Sequence, residues 1–110
     1  MAARALAAIP PGSALPGVRS REPLHPGRFL ERHYLKPLAM TQTEAARRLG
    51  VSRRRINELV QAKRAMSPDT AIRCAQAFGL PATDWLAMQS EWDAWIAWQS
   101  LRQAGSASRG

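Results

Sequence analysis

Residues 41–60, TQTEAARRLGVSRRRINELV, restrict the backbone more than any other stretch of the chain. Thr41 followed three residues later by Glu44 is a capping box, which opens a helix by satisfying two orphan N–H groups reciprocally. Gly50 suits the left-handed residue that closes such a helix. Ser52 then caps a second helix. Ala46 falls four residues before Gly50, at the point where the first helix must cross the second, and its small side chain lets the backbones approach. Val51, Ile56 and Leu59 fall where they fill the angle between the two helices, with Val60 beside them. The spacing therefore predicts two short helices locked at a fixed tilt.

With those positions facing inward, Ser52, Arg53, Arg54, Asn57, Glu58 and Gln61 face outward. Three arginines in sequence repel one another, so their placement needs an anionic partner. From Thr41 to Arg64 seven basic residues stand against Glu44 and Glu58, whereas residues 82–99 hold Asp84, Glu91 and Asp93 and no Lys or Arg. The whole chain carries 16 Lys and Arg against eight Asp and Glu, a formal charge of +8. Net charge of this sign favours polyanions and says nothing of fold. Charge alone would equally describe a solvated basic face. Charge on the exposed half of a tilted second helix describes a helix-turn-helix entering the major groove.

Arg makes bidentate bonds to guanine, and Asn to adenine. The base-reading candidates are Arg53, Arg54, Asn57 and Arg55. Gln42 and Thr43 sit at the positive end of the first helix, suited to a phosphate, as does Ser52 at the start of the second. Lys63 and Arg64 leave the second helix in a loop expected to run beside the DNA backbone.

The remaining chain reads as helices with no strand signal. HPGRFLERHYLKPL places Phe29, Leu30, His33 and Tyr34 on one face and ends at Pro37. Ser67, Pro68 and Asp69 open a helix that stops at Gly79, with Ala71, Ile72, Ala75 and Phe78 as its stripe. A last helix is expected from about 82 to 102. The fold class is thus all-α, with five helices. Residues 1–23, rich in Ala, Pro and Gly, read as a flexible arm, 24–103 as the domain, and 104–110 as a disordered tail.

The order of short motifs resembles the HigA family of antitoxins, within the Xre group of lambda-repressor-like helix-turn-helix proteins. The carrying pieces are His25-Pro26-Gly27, Leu35-Lys36-Pro37-Leu38, INELV, Lys63-Arg64, SPDTAIR, and FG followed by DWLAMQ. The resemblance covers residues 25 to about 95. It implies a lambda-repressor-like domain, a dimeric repressor of its own operon, and a cognate toxin, usually a RelE-type mRNA endonuclease, neutralised by direct binding. Against the family pattern, the arm before His25 is long, Pro81 stands where a capping hydroxyl is usual, and the end is rich in tryptophan. The rival readings are a stand-alone Xre-type regulator without toxin and a protein-interaction module with an idle basic face.

On a helical wheel Trp85, Met88, Trp92, Trp95 and Ile96 share a face, with Trp98 beside it. Trp85 and Met88 are expected in the core. Trp92, Trp95 and Trp98 are expected to form a dimer seam, since operators are read by two-fold dimers. Core packing and a toxin groove are the alternatives. His25 and His33 lack metal-ligand partners and read as core or boundary histidines, and the single Cys74 reads as a small buried hydrophobe. No catalytic set, metal site or cofactor site is evident, so an enzyme is not expected. One thiol fits a reducing bacterial cytoplasm, and no apolar run approaches the ~20 residues of a membrane span.

Overall fold

The computed structural model describes residues 15–107. Helix α1 is Pro26–Leu30 and continues through a π turn, Glu31–Leu35. It is followed by α2 (Gln42–Leu49), α3 (Arg53–Val60), α4 (Pro68–Phe78) and α5 (Ala82–Ala107). The described residues form five helices and no strand, as the periodicity predicts. No helix among them is long and apolar enough to cross a membrane.

Local chemistry sets the helix ends. Thr41 Oγ1, Ser52 Oγ and Ser67 Oγ accept from the N–H groups of Glu44, Arg55 and Thr70 at 3.1, 3.1 and 3.2 Å. Each satisfies one donor that the first turn leaves over. Gly50 and Gly79 end α2 and α4 at φ 71° and 91°. Pro81 starts α5 by offering its carbonyl to Asp84 N–H at 2.9 Å.

α3 is central, packed by α1 on one side and α2 on the other, while α4 packs on α2 and α5. Leu30, Ile56, Leu59, Ala71, Cys74 and Trp85 are fully buried. Trp85 meets Phe29 edge-on at 5.5 Å and Tyr34 at 5.8 Å, and Tyr34 stacks on Phe78 at 4.7 Å. α1 approaches α3 so closely that a β-carbon on Gly27 would overlap the Leu59 carbonyl oxygen, 1.7 Å away.

Four expectations change. In α1 the Lys36 N–H reaches back five residues to the Glu31 carbonyl, at 2.9 Å. Leu30 before the wide turn and Leu35 at its end are both buried, while His33 is exposed and stacked on Phe29 at 4.3 Å. His33 is therefore a surface residue. Ile72 is 53 % exposed, because Ala71 and Cys74 supply the inner side of α4. α5 continues to Ala107, so the boundary expected at 103 falls inside a helix. Finally, residues 15–23 of the expected arm turn beside α5, where Arg19 bonds Glu91 at 2.9 Å and Pro23 is buried. The rest of that arm, 1–14, and residues 108–110 of the expected tail lie outside the described residues.

Candidate nucleic-acid interface

The turn between α2 and α3 is a Schellman closure. Val51 N–H donates to the Ala46 carbonyl at 3.0 Å and Gly50 N–H to that of Arg47 at 3.3 Å. Arg73, from α4, completes it. Its Nη1 donates to the carbonyls of Leu49 (3.0 Å) and Gly50 (3.2 Å), at the negative end of α2. Its Nε donates to Asp69 at 3.0 Å. The turn is thus held by its own backbone and by a neighbouring helix.

Ile56 and Leu59 anchor α3 with no exposed surface, and Val60 is also buried. The helix can then show only its opposite side. Arg53 and Arg54 stand exposed in its first turn, and the Arg54 side chain is 85 % exposed. Arg53 has no ion-pair partner among the described residues, while Arg54 Nε lies 3.8 Å from Glu58. The other two base-reading candidates are differently placed. Arg55 turns back toward α4, where its Nη1 sits 3.4 Å from the Asp69 carboxylate. Asn57 is half-buried in an amide ladder. It donates to Gln42 Oε1 at 3.1 Å and accepts from Gln61 Nε2 at 2.8 Å. The ladder leaves Asn57 one amide hydrogen and one oxygen lone pair for a base contact, whereas the Arg53 and Arg54 side chains stand clear of it.

The five phosphate candidates fall around this pair. Thr43, Ser52, Lys63 and Arg64 are exposed, and Gln42 is half-buried in the ladder. Ser52 Oγ accepts from Arg55 N–H, which leaves its hydroxyl hydrogen free to donate. Arg64 donates through Nε and Nη2 to Glu58 Oε1, at 3.1 and 2.9 Å. Glu58 therefore gathers the charge of both Arg54 and Arg64.

Sequence reasoning missed Asp69 and Arg73 as organisers of this surface. Asp69 receives Arg55 from α3 and Arg73 from α4, tying the two helices together. The i,i+4 spacing of Asp69 and Arg73 was a readable signal for their own pairing. Nothing in the sequence points either residue at the α2–α3 turn. Gln89 was also missed. It is buried, accepts from Met66 N–H at 2.7 Å and donates to Asp93 at 2.8 Å.

His25 is buried and caps α1, its Nδ1 accepting from Gly27 N–H at 2.9 Å. Burial, and then the Arg28 charge, lower its pKa from the ordinary 6.5, opposed by Asp93 and a hydrogen bond to the Arg64 backbone. Burial pushes the Cys74 thiol up to about 12. No group of His, Cys, Asp and Glu among the described residues could hold a metal ion.

Along α5, Trp85 is core, but Trp92, Trp95 and Trp98 are half-buried. Trp92 meets His25 edge-on at 5.3 Å and Trp95 at 6.0 Å. Trp95 Nε1 is buried with no hydrogen-bond partner. Ile96 and Leu101 on the same helix are 45 and 66 % exposed. A cleft of about 440 Å³ lies beside Trp92, with Arg28 and Arg32 among its lining residues.

The helix-turn-helix family matches residues 32–85. A curated relative, virulence-associated protein I of Dichelobacter nodosus, is 39 % identical over 87 residues, 78 % of this chain and 81 % of that protein. The crystal structure of a protein from Nostoc punctiforme, described as an antidote protein of a plasmid maintenance system, superposes with TM-score 0.78 at 31 % identity. That match covers 82 % of this chain and 98 % of the other. The Pseudomonas aeruginosa antitoxin HigA, solved with the higBA promoter, gives TM-score 0.62 at 34 % identity over 77 % of this chain and 85 % of that one.

Proposed function

We propose a function from one premise: the chain belongs to the HigA family of Xre-type helix-turn-helix proteins. It acts as the antitoxin of a type II toxin–antitoxin pair. As a homodimer it binds the operator of its own operon, and it also binds and neutralises a RelE/HigB-like mRNA-cleaving toxin. Arg53 and Arg54 read base edges in the major groove. Thr43, Ser52, Lys63 and Arg64 hold phosphates, with Gln42 placed to join them. Arg55 belongs to the fold rather than the base-reading set, because Asp69 holds it. Asn57 reads a base with the amide hydrogen and lone pair that the ladder leaves over.

The observation that carries this reading is the division of α3. Its first-turn arginines are exposed while Ile56 and Leu59 behind them are fully buried. The half-buried Trp92, Trp95 and Trp98 supply the two-fold seam that paired half-sites need.

Fluorescence anisotropy with a duplex from the chain's own promoter, against a scrambled duplex of equal length, tests the DNA half. Specific affinity should exceed non-specific by at least ~10³, and equal affinities would refute it. Co-expression with the adjacent gene and capture of its product tests the toxin half. DNA binding without capture would leave a stand-alone regulator.

A further inference from the structure

The loop that leaves α3 is held from two directions. Ala62 takes a left-handed φ of 59°, which sends the chain back across the end of α3. Lys63 N–H donates to the Glu58 carbonyl at 2.8 Å, and the Arg64 guanidinium bonds the Glu58 carboxylate. From α5, Gln89 Oε1 receives Met66 N–H at 2.7 Å. Gln89 and Met66 are both buried, at 7 and 2 % exposure. The Gln89 amide is itself oriented by Asp93, one turn further along α5.

These bonds do something the core does not need. Met66, buried in the core, already fixes the far end of the loop by packing. The side-chain amide adds direction, because it sets where the Met66 N–H points and hence the path of the two cations before it. We propose that Gln89 is a positioning residue for DNA binding, which sets the Lys63–Arg64 loop at the height of the DNA backbone from α5. The inference rests on the reading of Lys63 and Arg64 as phosphate contacts. It also gives α5 a part in DNA affinity without touching DNA, since Gln89 lies on that helix.

The test is the salt dependence of operator binding. Each phosphate contact contributes about 0.9 to the slope of log K against log salt. Gln89→Leu removes the acceptor for Met66 N–H at nearly constant volume. It should weaken promoter binding about tenfold and flatten the slope by about one unit. Gln89→Glu combined with Asp93→Asn keeps the acceptor and reverses the polarity of the supporting bond, so it should restore the slope. In the Gln89→Leu background, Arg64→Ala should cost much less than in the wild type, because groups that act together are non-additive. An unchanged slope in Gln89→Leu, or an Arg64→Ala loss of equal size in both backgrounds, overturns the proposal. If Gln89→Leu does not fold, Asp93→Ala, at an exposed position, releases the Gln89 amide and gives the same readout. A wild-type chain that shows no salt-dependent binding to its promoter overturns the DNA reading itself, and the positioning role with it.

Discussion

Replacing Gly27 by Ala sets two effects of opposite sign against each other. Gly27 lies in the first turn of α1, where Ala would raise helix propensity by about 1 kcal/mol at most. A β-carbon there would stand 1.7 Å from the Leu59 carbonyl oxygen and 2.3 Å from its carbon. Both are backbone atoms at the C-terminal end of α3, so no side chain can swing aside. α1 and α3 would have to separate by more than 1 Å across an interface that includes Leu30 and Leu59. Overpacking of this kind typically costs about 1–3 kcal/mol, occasionally more, and backbone on both sides puts the site at the upper end. The net expectation is a loss of about 2 kcal/mol. With a urea m-value of about 1–2 kcal/mol/M for a domain of this size, the unfolding midpoint should fall by about 1–2 M with m unchanged. A midpoint equal to or above wild type would refute the close approach. The same variant should also weaken operator binding, because the Leu59 carbonyl accepts from Ala62 N–H at the start of the loop carrying Lys63 and Arg64.

Arg54→Ala should weaken operator binding by ~1–3 kcal/mol and relax preference at one base position. Arg64→Ala should weaken all sequences alike and flatten the salt slope by about one unit, and gel-shift titrations at several salt concentrations separate the two patterns. Burial lowers the His25 pKa from 6.5, so the unfolded chain binds this proton more readily than the folded one. Its contribution to stability is complete above pH 6.5 and is lost as pH falls through the folded value, so urea midpoints should drop on acidification more in the wild type than in His25→Asn. The Cys74 thiol, buried and pushed up to about 12, should ignore a disulfide reagent at pH 8 until the chain unfolds. Fast labelling of the native protein would contradict that burial.

What could be read in the residue order was local. Thr41, Ser52 and Ser67 cap helices by bonds spanning three residues, and the closure at Gly50 includes a Val51 to Ala46 bond spanning five, so short windows contain both partners. The burial of Ile56 and Leu59 followed from helical period alone. What escaped was set by distant partners. The π turn in α1 ends on Leu35, which is buried, and an α-helical wheel cannot foresee the extra residue that displaces His33. Arg55 looks equivalent to Arg53 and Arg54 until α4 brings Asp69 beside it. Asn57 looks free until the start of α2 presents Gln42. The end of α5 was placed too early because Gly105 and the serines around it favour termination by propensity alone, a weak prior.

The three adjacent arginines show how the fold divides a charge it concentrates. Successive residues on a helix are turned about 100° apart, so the three cannot share one direction. Arg55 is turned inward to Asp69, its charge met by the carboxylate that also receives Arg73. Arg54 has Glu58 one turn away at 3.8 Å, a distance and exposure at which the attraction is worth well under 1 kcal/mol. A phosphate or a guanine edge can displace it at little cost. Arg53 has no such partner among the described residues. The acids thus grade the run from anchored to available, in the order 55, 54, 53. Glu58 adds a second consequence. It holds Arg64 at 2.9 Å while half-buried itself, so when DNA takes Arg64 the carboxylate keeps Arg54 as its nearest cation. Glu58→Gln would remove that competition and leave Arg54 and Arg64 without a carboxylate partner, both facing DNA beside Arg53. Operator affinity and affinity for unrelated duplexes should then rise together, lowering the ratio between them. A variant that tightens only the operator would mean that Glu58 touches a base.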